Sequence, residues 1–310
     1  MPTEKEDQRS RGPRFYVIDG CSFSAPVLEA GLYIVATPIG NLSDVTLRAL
    51  ATLAGAYVIA CEDTRLTSRL TRHYAIRAKL LAYHEHNAER QTPRLLAELA
   101  EGRAVALVSD AGTPLISDPG QRLVGAVIEA GHRVIPIPGP SAVIAALSSA
   151  GLPTDAFHFV GFLPPRQAAR RKRLALLAAI PATLVFYESP HRTAAALADM
   201  AAELGPDRSA VMARELTKTF ETLRRGTLTS LAAELAAEAD PKGEIVLLVG
   251  PPISAAPKNE EVEEKLAELL KSMSVGAAAS ELAVSTGLPR RELYRRALEL
   301  RSLVGRHDEE

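Results

Sequence analysis

Short apolar runs alternate with polar, helix-like stretches from Gly31 to Gly151, and this alternation constrains the fold more than any other feature of the chain. The runs LYIVAT, AYVIA, KLLAY, AVALV and HRVIPI are rich in aliphatic residues and have the length of buried strands. Each is followed by a turn-rich polar segment and then by a helix-like stretch. Strands that alternate with helices in this way predict βαβ units and a mainly parallel sheet.

A second series of strand-like runs begins near Ala156 and has a different rhythm, because several runs follow one another directly. This pattern predicts a mixed sheet. We therefore expect two α/β domains and a small C-terminal helical unit that resembles a helix-turn-helix. The expected boundaries are an N-terminal extension outside the fold at 1–30 (with one short strand at FYVI), α/β domains at 31–151 and 152–251, a Pro-rich linker at 252–259 and the helical unit at 260–310.

Bulk composition narrows the class of protein. With 47% hydrophobic residues the chain can bury sizeable cores, and a net charge of -1 means that any nucleic-acid footprint is local. The two cysteines form no disulfide framework, which suits a reducing compartment. No apolar run approaches the length of a signal peptide or a membrane span, so we expect a cytoplasmic protein with no membrane partner.

Five polar loops follow the strands of the first series, and the carboxyl ends of parallel strands line the ligand crevice of open α/β sheets. They span Thr37–Asn41, Glu62–Arg65, His84–Asn87, Asp110–Pro119 and Pro138–Ala142. The segment SDAGTPLISDPG carries two aspartates and no lysine, and neither GxxxxGK[ST] nor GxGxxG occurs in the loops. The ligand is therefore expected to be something other than a nucleotide phosphate.

Individual loop residues have both functional and structural interpretations. Gly40 and Gly112 let backbone N–H groups approach a ligand, and Ser141 can cap a helix whose free N–H groups face a carboxylate. Asp110 can accept from an amine or a ribose hydroxyl. All four also fit ordinary βα turns. Convergence of five such loops at one edge favours the functional interpretation.

The HEHN segment suggests a metal site, but the pattern is weak. His84 and His86 alternate in what we expect to be extended chain, so their side chains would point to opposite sides. Zinc needs three or four converging ligands, and no further ligands are evident, so we expect no metal. For Glu215 and Lys218 in RELTK, a simple surface ion pair is the alternative to a functional role.

Read in chain order, eight segments resemble the tetrapyrrole methylase superfamily: TPIGNLSDVT, CEDTR, HEHN, SDAGTPLISDPG, PGPSA, FYESPHR, RELTK and KGE. The resemblance covers about Gly31 to Pro251, and the C-terminal segment also matches one branch of the superfamily. Each motif alone is weak, but eight in the same order are specific. The chain departs from the family pattern at Cys61, where alanine is common, and in its N-terminal extension.

The resemblance implies S-adenosyl-L-methionine as methyl donor and the 2′-oxygen of a cytidine in 16S rRNA of the small ribosomal subunit as acceptor. It also implies a donor bound between two α/β domains, and a homodimer. A donor with a sulfonium charge and no phosphate suits a loop without lysine. Carried over residue by residue, the implied donor-binding positions are Thr37, Pro38, Gly40, Asp110, Gly112, Thr113, Pro114, Ser141, Ala142, Tyr187, Ala213 and Glu215.

Methyl transfer chiefly requires alignment of the two reactants, and a ribose hydroxyl is a poor nucleophile that a base or a cation assists. We expect His84, Glu85 and Lys218 to be the catalytic groups. The sequence leaves Glu62, Asp63, Glu188 and Glu215 open as alternatives.

Basic residues outside the crevice indicate where rRNA would be held. The candidates are Arg65, Arg69, Arg166 and the run Arg170–Arg173, although a solvated helix face explains the run equally well. From Lys271 to Arg306 there are seven basic residues and three acidic ones. The C-terminal unit is therefore expected to be an rRNA clamp, with a purely structural helical bundle as the alternative.

Two other functions fit parts of the sequence. A methylase of a corrinoid precursor or of a modified histidine shares the resemblance but would not need the C-terminal helical unit. A helix-turn-helix regulator with a ligand-sensing body fits SVGAAASELAVSTGLPRRELYRRAL. Regulators read DNA as dimers with well-spaced recognition helices, and the crevice motifs are too many for a passive sensor. The rRNA methyltransferase is therefore favoured.

Overall fold

Two five-stranded sheets form the α/β part of the protein in a computed structural model, which describes residues 14–253, 259–286 and 288–307. The chain divides into one compact unit that ends at Pro252 and a second that begins at Ile253. Part of the expected linker, residues 254–258, and the first 13 residues lie outside the described ranges.

The first sheet is entirely parallel, as its alternating pattern predicts. Its strands are β3 (Gly31–Val35), β4 (Val58–Cys61), β5 (Lys79–Ala82), β6 (Ala104–Val108) and β7 (Val134–Ile137), in the order β5-β4-β6-β3-β7. The connecting helices are α1 (Leu47–Gly55), α2 (Thr64–His73), α3 (Ala88–Ala100) and α4 (Gln121–Glu129), and α5 (Ala142–Ala150) follows β7.

Helices cover both faces of this sheet, which explains why its strands are apolar at nearly every position. Alternate strand residues join α1 and α2 in one core cluster and α3 and α4 in another. Because β3 and β6 are neighbours whose connections leave toward opposite faces, the loops that follow them bound a crevice. The order of the strands thus determines where a ligand can enter.

The second sheet is mixed, as expected. Its strands are β8 (Phe157–Phe162), β9 (Thr183–Glu188), β10 (Ser209–Arg214), β11 (Thr222–Thr227) and β12 (Ile245–Val249), in the order β11-β10-β12-β9-β8. The β8–β9 pair is parallel and the other pairs are antiparallel. The helices α6 (Gln167–Ala175), α7 (Thr193–Leu204) and α8 (Leu228–Ala237) cover one face, and α5 packs on the other.

The expectation that residues 1–30 lie outside the fold is wrong for the described part of that segment. Besides the expected strand β1 (Phe15–Ile18), a second strand β2 (Cys21–Ser24) completes a hairpin. Tyr16 is 8% exposed within the first core cluster, and Val17 N–H donates to the Tyr74 carbonyl at 2.8 Å. Apolar side chains of this segment, among them Tyr16, are buried against α1 and α2, and this burial holds the hairpin on the first domain.

In its described residues, the C-terminal unit consists of three helices around its own small core. They are α9 (Asn259–Leu270), α10 (Val275–Thr286) and α11 (Arg290–His307). Val262, Leu266, Leu282, Leu293 and Ala297 form the centre of that core. The helical character expected for this unit is confirmed.

Candidate active site

The loops after β3 and β6 are joined by a pair of backbone hydrogen bonds. Thr37 N–H donates to the Gly112 carbonyl at 2.8 Å, and Gly112 N–H donates to the Thr37 carbonyl at 3.0 Å. Gly112 has φ +77°, a left-handed conformation that favours glycine. Two of the residues named for donor binding are therefore in direct contact, and the junction requires a glycine.

The loop after β7 joins the same junction. The Thr113 hydroxyl donates to the Pro140 carbonyl at 3.1 Å, which places Thr113 against the entrance to α5. Ser141 occupies the N-cap position, because its carbonyl accepts the Ala145 N–H at 2.9 Å, but its hydroxyl makes no capping hydrogen bond. The expectation that the Ser141 side chain caps the helix is thus wrong, and the first-turn N–H groups beginning at Ala142 lack that partner.

Strain in the loop after β6 is a feature that the sequence did not reveal. Leu115 has φ +74° and Ser117 has φ +66°, although neither is a glycine. A left-handed conformation costs such residues about 1–2 kcal/mol each. Backbone strain of this kind clusters at functional sites, where the surrounding structure maintains it.

Carboxylates lie close together on the loops that follow β4 and β6. The Asp110 carboxylate accepts the Asp63 N–H at 2.9 Å and so connects the loops after β6 and β4. Burial raises the pKa of Glu62, and the nearby Asp110 and Asp118 raise it further. Burial likewise raises the pKa of Asp118. A hydrogen bond from Ser109 lowers this pKa, whereas the charge of Asp110 raises it. The field at this edge is negative, which suits a cationic ligand.

Tyr187 lies on the second sheet, within electrostatic reach of Asp118 in the loop after β6. Burial raises the pKa of Tyr187 to about 12, and the charges of Asp118 and Glu244 contribute. Its phenol therefore remains protonated at neutral pH. Ala213, by contrast, is fully buried in the apolar layer between α5 and the second sheet, so it can offer a ligand only its backbone.

Glu215 and Lys218 form an ion pair, which is the alternative given for RELTK in the sequence analysis. Lys218 Nζ lies 2.7 Å from Glu215 Oε1 and 2.8 Å from Glu244 Oε2. Burial opposes the charge on Lys218, but the hydrogen bonds that Lys218 donates to Glu215 and Glu244 outweigh it and raise the pKa of the lysine. A Cβ at Gly40 would clash with Lys218 Cγ, so the loop after β3 is packed against this pair. Lys218 is therefore a cation beside the crevice, unsuited to act as a base.

The HEHN segment is a turn, so the expectation of extended chain is wrong. The His84 carbonyl accepts from Asn87 N–H and Ala88 N–H, both at 3.0 Å, and the His84 and His86 rings are 6.0 Å apart. The turn forms because Asn87 Oδ1 accepts the His84 N–H at 3.0 Å. This loop follows β5, the edge strand, and three strand spacings place it roughly 14 Å from β3.

The basic residues of the run on α6 differ in how far they are buried. Arg170 and Asp199 are each 4% exposed, and Arg170 Nη2 lies 2.6 Å from Asp199 Oδ2. The expectation that Arg170 holds rRNA is thus wrong, because its guanidinium is enclosed in an ion pair. Arg171 Nε pairs with Glu203 Oε1 at 2.6 Å, whereas Lys172 and Arg173 are exposed.

Glu188, one of the open alternatives for a base, also has a structural role. Its side chain is fully buried at the end of β9, its Oε1 accepts the Ser189 N–H at 2.9 Å, and Arg192 Nε lies 3.3 Å from it. Arg192 Nη2 donates in turn to the Leu163 carbonyl at 2.7 Å. The pair thereby fixes the chain after β9 to the chain after β8.

The described residues contain neither a candidate membrane span nor a candidate metal site. No helix in those ranges is both long and apolar enough to span a bilayer. In the same ranges, no group of three or more histidines, cysteines or acidic residues is arranged to hold a metal ion.

Comparison with known proteins gives matches over most of the chain. Residues 31–232 match the Tetrapyrrole (Corrin/Porphyrin) Methylases, and residues 256–301 match the RsmI C-terminal HTH domain. A protein named Ribosomal RNA small subunit methyltransferase I from Mesorhizobium japonicum is 54% identical over 91% of this chain and 96% of its own. A protein of the same name from Escherichia coli O157:H7 is 47% identical over 89% of this chain and 97% of its own.

The fold also matches a solved structure. The chain is similar to a uroporphyrin-III C-methyl transferase from Thermus thermophilus complexed with S-adenyl homocysteine, with a TM-score of 0.51 and 21% identity. The match covers 71% of this chain and 97% of that one. At this identity the similarity establishes the fold alone.

Proposed function

The chain belongs to the tetrapyrrole methylases and, within them, to the ribosomal RNA small subunit methyltransferase I family, and we propose that it transfers a methyl group from S-adenosyl-L-methionine to the 2′-oxygen of a cytidine in 16S rRNA. The observation that carries the proposal is the junction of Thr37, Gly112 and Thr113 beside a negative edge. These three loop residues carry no positive charge, which suits a compact cation.

The donor fits this junction in three respects. Gly112 leaves room for close backbone approach, the first turn of α5 offers N–H groups to a carboxylate, and the carboxylates near Glu62 favour a sulfonium. S-adenosyl-L-methionine supplies an electrophilic methyl group. The residues proposed to hold it are Thr37, Pro38, Gly40, Asp110, Gly112, Thr113, Pro114, Ser141, Ala142, Tyr187, Ala213 (through its backbone) and Glu215.

The proposed catalytic residues lie on opposite sides of the crevice. Lys218 packs on Gly40 after β3, whereas His84 and Glu85 follow β5, roughly 14 Å away. Asn87 Oδ1 accepts the His84 N–H and Asn87 Nδ2 donates to the Ala82 carbonyl, and these two bonds fix the orientation of the amide. Asn87 Nδ2 is therefore also the donor to His84 Nε2, at 3.1 Å. Neutral His84 then carries its proton on Nδ1, which is buried and has no hydrogen-bond partner among the described residues, so it can donate to a substrate only when this turn moves. Glu85 is exposed and can accept the hydroxyl proton, while Lys218 offers a positive charge.

We expect at least one of His84→Ala, Glu85→Ala and Lys218→Ala to lower kcat at least tenfold while donor affinity is retained, because a group that acts in the transition state is lost without changing ground-state binding. Transfer of labelled methyl to 30S particles and calorimetry with the donor measure the two quantities. Arg224→Ala removes an ion pair with Glu238 that lies on neither of these loops, and it should leave both quantities unchanged. Parent-like rates in all three variants would place the catalytic group on another loop.

The same assay tests the proposed function itself. Labelled methyl should appear on the ribose of one cytidine in 16S rRNA, as mapping of the modified nucleotide would reveal. Transfer to a base, or to protein, would reject the proposal. We further propose a cytoplasmic homodimer, which sedimentation at equilibrium would detect as twice the chain mass.

We propose that the C-terminal unit holds rRNA through one face of α11. Arg291, Tyr294, Arg295 and Leu298 are exposed and recur at helical spacing on that face. Basic side chains that neutralise phosphates release counterions, so binding weakens as salt rises.

The double variant Arg291→Glu/Arg295→Glu should weaken binding to 30S particles and lower the magnitude of the log–log salt slope by about two, since two phosphate contacts are lost. Donor binding should persist. Lys265→Glu/Lys271→Glu makes the same charge change on and just after α9, the acidic helix, and should have less effect. Equal loss in both double variants would mean that overall charge, and not this face, governs binding.

A further inference from the structure

A bulge in β8 redirects an aromatic side chain toward the cleft. The pairing of β8 with β9 shifts register between Phe159 and Gly161, and Gly161 has φ +74°. In a regular strand, residues three apart point to opposite faces. Here the rings of Phe159 and Phe162 both meet Tyr187, with centroids 5.0 and 5.6 Å away. The bulge therefore places Phe162 on the same side as Phe159, an effect typical of bulges near active sites.

The redirected side chain lies beside the proposed donor site. A Cβ at Gly161 would be 3.1 Å from Ser117 Oγ, so the bulge adjoins the strained loop after β6. Tyr187 experiences the charge of Asp118 from that same loop. Phe162 nevertheless remains 57% exposed, so its outer face is open to a ligand.

We propose, on the basis of the proposed function, that Phe162 is the surface on which the base of the target cytidine stacks, with Tyr187 supporting the ring from behind. A ribose presented to the donor must be held by its base, and RNA-binding proteins commonly hold unstacked bases on aromatic rings. Arg166, Lys172 and Arg173 are exposed after the same strand and supply charge for the neighbouring phosphates.

The acceptor base fits Phe162 better than the adenine of the donor does. The donor junction is built on the first sheet, whereas Phe162 ends a strand of the second sheet at its exposed edge. An aromatic ring at the edge is open to a large polymer that approaches from solvent.

Phe162→Ala should raise the KM for 30S particles by about tenfold, because a stacking contact of that size is lost. Its Kd for S-adenosyl-L-methionine should stay at the parent value. Phe162→Tyr retains the ring and should restore KM, whereas Phe162→Leu retains bulk without the ring and should resemble alanine. The matched control is Phe157→Ala, which removes a 46% exposed phenylalanine from the other end of the same strand.

Three results would overturn this assignment. A weaker donor Kd with unchanged KM would place adenine on Phe162, and unchanged values in Phe162→Ala would remove any stacking role. Parent-like KM in Phe162→Leu would mean that bulk alone is required. Absence of methyl transfer by the parent would instead reject the proposed function, so the two failures are distinguishable.

Discussion

Gly112→Val is expected to weaken the binding of S-adenosyl-L-methionine on the order of hundredfold, roughly the loss of affinity when two hydrogen bonds to a bound ligand are broken. A Cβ at this position would lie 3.3 Å from Ile39 Cγ2, and valine adds two methyl groups beyond it. The Thr37–Gly112 hydrogen bonds would be pushed apart just where the donor meets the backbone. Calorimetry with the donor measures the affinity.

The control for this variant is Gly131→Val. Gly131 has φ +76°, close to the +77° of Gly112, but a Cβ there would meet nothing within 4 Å. Both variants therefore suffer the same left-handed backbone strain, about 1–2 kcal/mol, and Gly112→Val alone should lose the donor. Parent-like affinity in Gly112→Val would move the donor to another site.

Asp199→Ala should lower the free energy of unfolding by about 3–5 kcal/mol, because it leaves the Arg170 guanidinium buried without its counterion. Asp199 also accepts a hydrogen bond from Gln167 Nε2 at 3.0 Å, which is lost as well. Urea unfolding followed by circular dichroism measures the change.

Two further variants test whether burial of the Arg170–Asp199 pair causes the expected loss of stability. Glu203→Ala breaks the exposed Arg171 pair one residue away and should cost at most about 1 kcal/mol. Arg170→Met/Asp199→Leu removes both buried charges and should recover most of the lost stability. A small effect of Asp199→Ala would show that the pair is well solvated, and would reopen Arg170 as a phosphate contact.

The sequence predicted those parts of the molecule that strand order alone determines. Once β3 to β7 are parallel, their carboxyl ends must share one edge, so the convergence of their loops follows from the strand pattern. The contact between Thr37 and Gly112 depends in addition on β3 and β6 being neighbours, which the sequence did not predict. The glycine at 112 was identifiable for the same reason, since a loop that approaches a neighbouring backbone requires it.

Details that depend on tertiary packing were not predictable. Neighbouring basic residues in the run at 170–173 look alike in sequence, and only an aspartate 29 positions beyond Arg170 decides that this side chain is buried. The turn at His84 depends on one amide, Asn87, and the bulge at Gly161 leaves no periodic signal. Strand β1 was predicted, but β2 was missed because all four of its residues are exposed.

The apolar layer between α5 and the second sheet has a consequence for how reactants enter and leave. Val143, Ala146, Val185 and Leu248 are almost completely buried there, so a hinge motion that swings the two sheets apart would expose them to water. We therefore expect the cleft to open by local displacement of loops. If the donor binds as proposed, release of the spent cofactor requires the segment with Leu115 and Ser117 to move, and relaxation of their strained backbone would offset part of the cost of each opening.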